Sequence, residues 1–98
     1  MKNIIFLDNS NIKFSGNDLD TTKVRGTESS MILLSEELFK KGYKVTVVNA
    51  IDKPINVNGV VYTNKKILDL NLIYDAAIAS SNANLFNGIN AKKKIIWS

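Results

Sequence analysis

The chain predicts an α/β fold built on a doubly wound parallel sheet. Two observations carry this. Short apolar runs recur along the sequence, and helix-like or loop segments separate them. The first run, Asn3-Ile4-Ile5-Phe6-Leu7, has no polar alternation, as expected of a strand buried on both faces. About five strands are expected, in the order 3-2-1-4-5 with right-handed crossovers, as a Rossmann-like three-layer domain. No repeat or low-complexity tract interrupts the pattern.

The elements follow in order. After the strand at 3–7, Asp8-Asn9-Ser10-Asn11 is rich in turn formers. Residues 8–25 then form a loop of eighteen residues, long enough in a compact domain to suggest function. Arg25-Gly26-Thr27-Glu28 opens a helix spanning 29–41. Gly26 or Thr27 is the expected N-cap, and Gly42 the C-terminal stop. Helical spacing places Met31, Leu34, Leu38 and Phe39 on the buried face, with Ile32 and Ser35 beside them and Leu33 off the stripe. Glu28 in the first turn and Lys40-Lys41 in the last suit the helix dipole.

Lys44 to Asn49 is the second strand, and 51–55 is a loop around Pro54. Asn58-Gly59 has the chemistry of a hairpin turn leading into a third strand, Val60-Val61-Tyr62. A short helix is expected over 65–72, a fourth strand over 75–80, and a short helix or irregular turn over 82–90. Lys94-Ile95-Ile96-Trp97-Ser98 is the fifth strand. No helix follows it, so one flank of the sheet should be under-covered, with Ile95, Ile96 or Trp97 partly exposed. The expectation is an incomplete domain, the first part of a longer protein, or a gap that an oligomer covers.

Composition narrows the chemistry. The 98 residues are 45% hydrophobic and 22% charged, enough for one small domain. With no cysteine and no histidine, a disulfide framework, a Ser-His-Asp triad and a Cys-His pair are excluded, and zinc would have carboxylates alone as ligands. No metal or cofactor is expected. Net charge is +4 and twelve of the thirteen basic residues are lysine. Their short clusters, Lys40-Lys41, Lys65-Lys66 and Lys92-Lys93-Lys94, read as solvated charges at element ends, so no nucleic-acid partner is expected. Arg25 is the single arginine, beside the glycine step, and its planar fork suits phosphate or carboxylate. The apolar run after Met1-Lys2 is too short for a signal core or a membrane span, so a cytoplasmic location is expected.

Open α/β sheets bind ligands beyond the carboxyl ends of their strands. Here those ends are Asp8-Asn9, Asn49-Ala50, Thr63-Asn64, Ser80-Ser81-Asn82 and Ser98, all small or polar. They form a candidate rim for hydroxyl-rich or phosphate-bearing ligands, although surface strand ends are polar in any case. Gly26 permits close approach of a ligand to the free N–H groups of the helix start. No G-x-G-x-x-G follows the first strand and no G-x-x-x-x-G-K-[ST] is present. Of the acidic cluster and lysine of a response-regulator receiver, Asp8 alone remains.

Arg25-Gly26-Thr27-Glu28, Leu38-Phe39-Lys40-Lys41-Gly42-Tyr43 and Lys44-Val45-Thr46-Val47-Val48 together resemble the amino-terminal domain of GT-B glycosyltransferases. They are most similar to the retaining, nucleotide-sugar-dependent group 1 enzymes, where Gly-Gly-x-Glu opens the helix, Leu-x-x-x-Gly-His closes it and Glu-Val-Thr-Val follows. Asn58-Gly59-Val60, Tyr74-Asp75-Ala76-Ala77-Ile78 and Lys93-Lys94-Ile95-Ile96-Trp97-Ser98 resemble later strands of that domain. The likeness spans nearly the whole chain but only the first half of the family's amino-terminal domain. It implies a truncated acceptor-side subdomain. The full protein would move a sugar from a nucleotide-sugar to an acceptor hydroxyl on a saccharide, a lipid-linked molecule or a small molecule.

By that resemblance Gly26, Thr27 and Arg25 face the donor phosphates, and Asn9, Ser81 and Asn82 form the acceptor-side rim. Arg25 replaces the first glycine of the family's pair. Ser80-Ser81-Asn82 stand where the family often carries a histidine, so no catalytic residue is assigned. The fragment alone should be inactive, since the donor half lies elsewhere. Peripheral membrane association and a homodimer are both compatible with this reading. The rival is a stand-alone α/β binding or regulatory domain, dimeric through its fifth strand and without chemistry.

Overall fold

The computed structural model describes residues 2–8, 15, 26–68, 71–80 and 83–97, and of residues 26–28 and 83 the backbone alone. The chain is α/β. Its elements are β1 (Asn3–Leu7), α1 (Gly26–Lys40), β2 (Lys44–Val48), β3 (Ile55–Val57), β4 (Val60–Thr63), β5 (Ile73–Ser80), a 3-10 turn (Ala83–Phe86) and β6 (Asn90–Trp97). They form a six-stranded sheet in the order β3-β4-β2-β1-β5-β6. Every neighbouring pair is parallel except β3 with β4.

β1 sits between β2 and β5, with Phe6 opposite Val47 on one side and Ile78 on the other. That position explains its sequence. Both faces are covered, so Ile4, Ile5, Phe6 and Leu7 are all buried. Ile4 and Phe6 join Val45, Val47, Val60 and Tyr62 on one face, against Met31 and Ile32 of α1. Ile5 and Leu7 join Val48, Ala77 and Ala79 on the other, where Ile89, Leu85 and Phe86 pack. Each fully buried aliphatic side chain contributes about 1.5–3 kcal/mol.

α1 is the one α-helix among the described residues. It begins at Gly26, three residues before the expected start, so Gly26 and Thr27 lie inside the first turn rather than at the N-cap. Its end is a Schellman motif. Gly42, at φ +98°, donates its N–H to Phe39 O at 3.0 Å, and Tyr43 N–H reaches Leu38 O at 3.1 Å. The buried stripe is Met31, Ile32 and Ser35 with half-buried Leu38, whereas Leu34 and Phe39 are exposed. The expected face is therefore rotated. Four consecutive apolar residues, 31–34, allow more than one stripe, and the position of the sheet selects among them.

Ser35 is fully buried, and its Oγ has no hydrogen-bond partner among the described residues. An unpaired buried hydroxyl costs about 1–3 kcal/mol. Ser35→Ala should therefore raise the urea midpoint, with a gain of about 1 kcal/mol that includes alanine's better helix propensity. A lowered midpoint would mean that the hydroxyl is stabilising.

The Asn-Gly turn joins β3 to β4. Asn58 and Gly59 both have positive φ, +52° and +88°, as a type I′ turn requires. Asn58 Nδ2 donates to Glu36 Oε2 at 3.0 Å, which ties the hairpin to α1. A Cβ on Gly59 would overlap the Phe39 ring, so the glycine is needed for close approach as well as for its φ. The hairpin adds a sixth strand to the five expected, because Ile55 opens β3 instead of ending a loop.

Two further segments depart from expectation. Residues 65–68 form a turn, not the start of a helix. Asn64 Oδ1 accepts from Lys66 N at 2.9 Å and Ile67 N at 3.2 Å, which caps the turn as an N-cap side chain would cap a helix. β6 begins at Asn90, four residues before the expected start, and stands at the sheet border. Ile95 and Ile96 are 47% and 50% exposed, as expected for an under-covered flank. Trp97 turns inward, edge-on to Phe6 at 6.3 Å.

Burial pushes the Tyr62 phenol up, and the Glu36 carboxylate adds to the shift. The folded state therefore keeps a proton that the unfolded chain releases near pH 10. Stability from this group is present below that pH and is lost as pH rises above it. Stability should fall more steeply above pH 10 in the parent chain than in Tyr62→Phe, as followed by urea unfolding at stepped pH. Equal slopes would contradict a buried phenol.

Candidate functional site at the carboxyl edge of the sheet

The five parallel strands point the same way, so their carboxyl ends share one edge. α1 connects β1 to the parallel β2 and must run back along the sheet, which brings its amino end to that edge. Two of the expected strand ends meet here. Asn49-Ala50 after β2 and Asn64 after β4 line a cleft of about 490 Å³ with Ile51, Asp52, Lys65 and Lys66.

The two loops of the cleft are latched together. Asn49 N–H donates to Thr63 O at 2.9 Å, and Asn49 Oδ1 accepts from Ile51 N at 2.7 Å. Asn64 Nδ2 donates to Ile51 O at 2.9 Å while its Oδ1 holds the 65–67 turn. The polarity of these strand ends thus holds loop backbone in place. What faces solvent are the ammonium groups of Lys65 and Lys66, both exposed. Neither makes an ion pair among the described residues, and Asp52 is the acidic residue of the lining. The signal available in sequence was a lysine pair directly after a strand end.

Of the residues expected to face the donor, Gly26 and Thr27 lie in the first turn of α1, at the same edge. Arg25, Asn9, Ser81 and Asn82 lie outside the described residues. Asp8 N–H donates to Val48 O at 2.9 Å, continuing the β1–β2 pairing to the rim. Among the described residues no group of three or more carboxylates stands close enough to hold a metal ion.

The opposite edge has a different character. Asn3 N–H donates to Asp75 Oδ2 at 2.7 Å, and Lys92 Nζ stands 3.6 Å from Asp75 Oδ1. The hydrogen bond from Asn3, helped by Lys92 and Lys2 and opposed by desolvation, holds the Asp75 carboxyl below its ordinary range. This carboxylate fastens the starts of β1, β5 and β6 together. A separate apolar cavity of about 310 Å³ lies on the face of Ile67 and Leu68, floored by Thr46, Val61 and Thr63.

No protein-family model, curated protein or solved structure matches this chain. No helix among the described residues is long and apolar enough to cross a membrane.

Proposed function

We propose that this chain is the acceptor-side part of a retaining GT-B glycosyltransferase, its sheet one wall of a cleft between two domains. The observation that carries the reading is the shared edge. The Gly-Thr step that opens α1 and the cleft at 49–52 and 64–66 both belong to the carboxyl edge of a mostly parallel sheet. On this reading the sheet is the centre of a Rossmann-like, three-layer domain, with α1 in one layer. The full protein, in the cytoplasm, transfers a sugar from a nucleotide-sugar to an acceptor hydroxyl. Helix N-termini stabilise the departing phosphates, and Gly26, Thr27 and Arg25 lie toward them. Asn9, Ser81 and Asn82 border the acceptor.

The test expresses the complete coding frame with nucleotide-sugars labelled in the sugar. Transfer of label with retained anomeric configuration supports the proposal. The 98 residues alone should bind nucleotide-sugar weakly and without saturation. Tight, saturable binding would contradict placing the donor site on another domain.

The exposure of Ile95 and Ile96 on the border strand favours a second reading, a non-catalytic α/β module that dimerises through β6. Sedimentation equilibrium separates the two. A stable dimer that Ile95→Lys disrupts, with no transfer by the complete frame, supports the module.

A further inference from the structure

We infer that the cleft at 49–52 and 64–66 binds a phosphate group, so that the acceptor of the proposed transfer is a phosphorylated molecule. The identity of the acceptor rests on the transferase reading; phosphate binding itself does not. Three observations converge on one place. Lys65 and Lys66 line the cleft together, on a turn whose backbone is fixed at two points by Asn64 Oδ1. The same Asn64 ties that turn to the facing loop through Ile51 O, so the cleft is held open in a defined shape before any ligand arrives. The lining carries two ammonium groups against one carboxylate, Asp52, and neither lysine is neutralised by an ion pair among the described residues.

Each of the other lysine clusters has members already engaged, and the cleft that Lys92 and Lys93 line lies at the opposite edge of the sheet. Lys40 pairs with Glu37 at 3.5 Å, Lys92 stands beside Asp75 at 3.6 Å, and Lys94 lies over the Phe86 ring at 5.9 Å. Lys65 and Lys66 combine unspent charge, a concave wall and a position at the edge where open α/β sheets hold ligands. Ammonium groups act on phosphate as point charges and need no planar match. A cleft of about 490 Å³ leaves room for the sugar, glycerol or other group that carries the phosphate.

The experiment records backbone amide NMR spectra of the full 98-residue chain during titration with inorganic phosphate, then a hexose 1-phosphate. A parallel arm measures co-sedimentation with phosphatidylglycerol-containing vesicles, against phosphatidylcholine alone. The expected result is saturable shifts confined to 49–52 and 64–67, with binding about tenfold weaker or worse in Lys65→Ala/Lys66→Ala. Lys92→Ala/Lys93→Ala should bind as the parent does. Binding of the soluble phosphates identifies a free phosphorylated ligand; binding only to the anionic vesicles, with the same lysine dependence, identifies a lipid headgroup. Shifts spread over all lysines, or equal losses in both lysine pairs, would overturn the site. Transfer by the complete frame to a neutral acceptor, without phosphate binding here, would remove this inference and leave the transferase standing. Lysine-dependent phosphate binding without transfer would do the reverse.

Discussion

Phe6→Ala should cost about 3–5 kcal/mol, the largest loss expected of a single truncation in this chain. Phe6 is fully buried at the centre of the middle strand, and four elements converge on it. Val47 and Ile78 flank it in the sheet, Met31 and Ile32 belong to the same core cluster, and Trp97 meets its ring at 6.3 Å and 62°. The cavity left would be bordered by β-sheet on two sides, which relaxes poorly. A domain of this size has about 5–15 kcal/mol in all, so the variant should be marginal, with Tm lower by more than about 12 °C. Trp97 is the only tryptophan, so its fluorescence reports the change directly. A loss below about 1.5 kcal/mol would mean that α1 closes onto the site. Phe6→Leu, which keeps most of the volume, should lose far less.

Gly59→Ala should lose about 2–4 kcal/mol from two separable causes. One is the backbone, held at φ +88°. The other is the Phe39 ring, which occupies the space a Cβ would take. Phe39 is itself 42% exposed, so its ring can swing away at the loss of the contact that fastens the hairpin to α1. In a Phe39→Ala background the penalty at Gly59 should shrink to the backbone part, about 1–2 kcal/mol. The coupling from a double-mutant cycle in urea isolates the ring. Additive losses would show that the ring does not rest on the glycine. Gly42→Ala is the matched control, since a Cβ there meets nothing within 4 Å and should pay strain alone.

Much of the architecture was legible because each signal is local and has one cause. An unbroken apolar run marks β1, an Asn-Gly pair marks the β3–β4 turn, and Gly42 marks the end of α1. The failures share a different cause. β3 is three residues long and exists only because the turn folds Ile55–Val57 back on β4. The 65–68 turn is capped by the Asn64 carboxamide as a helix would be, so its local chemistry reads as helical, and the buried face of α1 is set by where the sheet lies. The candidate site shows the same division. Polar strand ends after β2 and β4 were expected, and they do meet. Their work as latches depends on a bond from Asn64 to Ile51 O, thirteen residues away, which no local pattern announces.

The place of β1 has a consequence for the order of events during synthesis. β1 is the middle of the sheet, yet its two partners are made at very different times. β2 follows it closely, whereas β5 ends at Ser80. At a ribosomal pace of about 5–20 residues per second, the thirty-two residues from 49 to 80 take about 2–6 s. Through that interval the β5 side of Asn3–Leu7 has no backbone partner, and of the described core residues around Ile5 and Leu7 only Val48 has been made when it begins. The strand that is best protected in the finished protein is the one that waits longest half-covered. A chaperone that binds short apolar segments would find its best target there, and β5, with its small alanines, is the lid that ends the exposure.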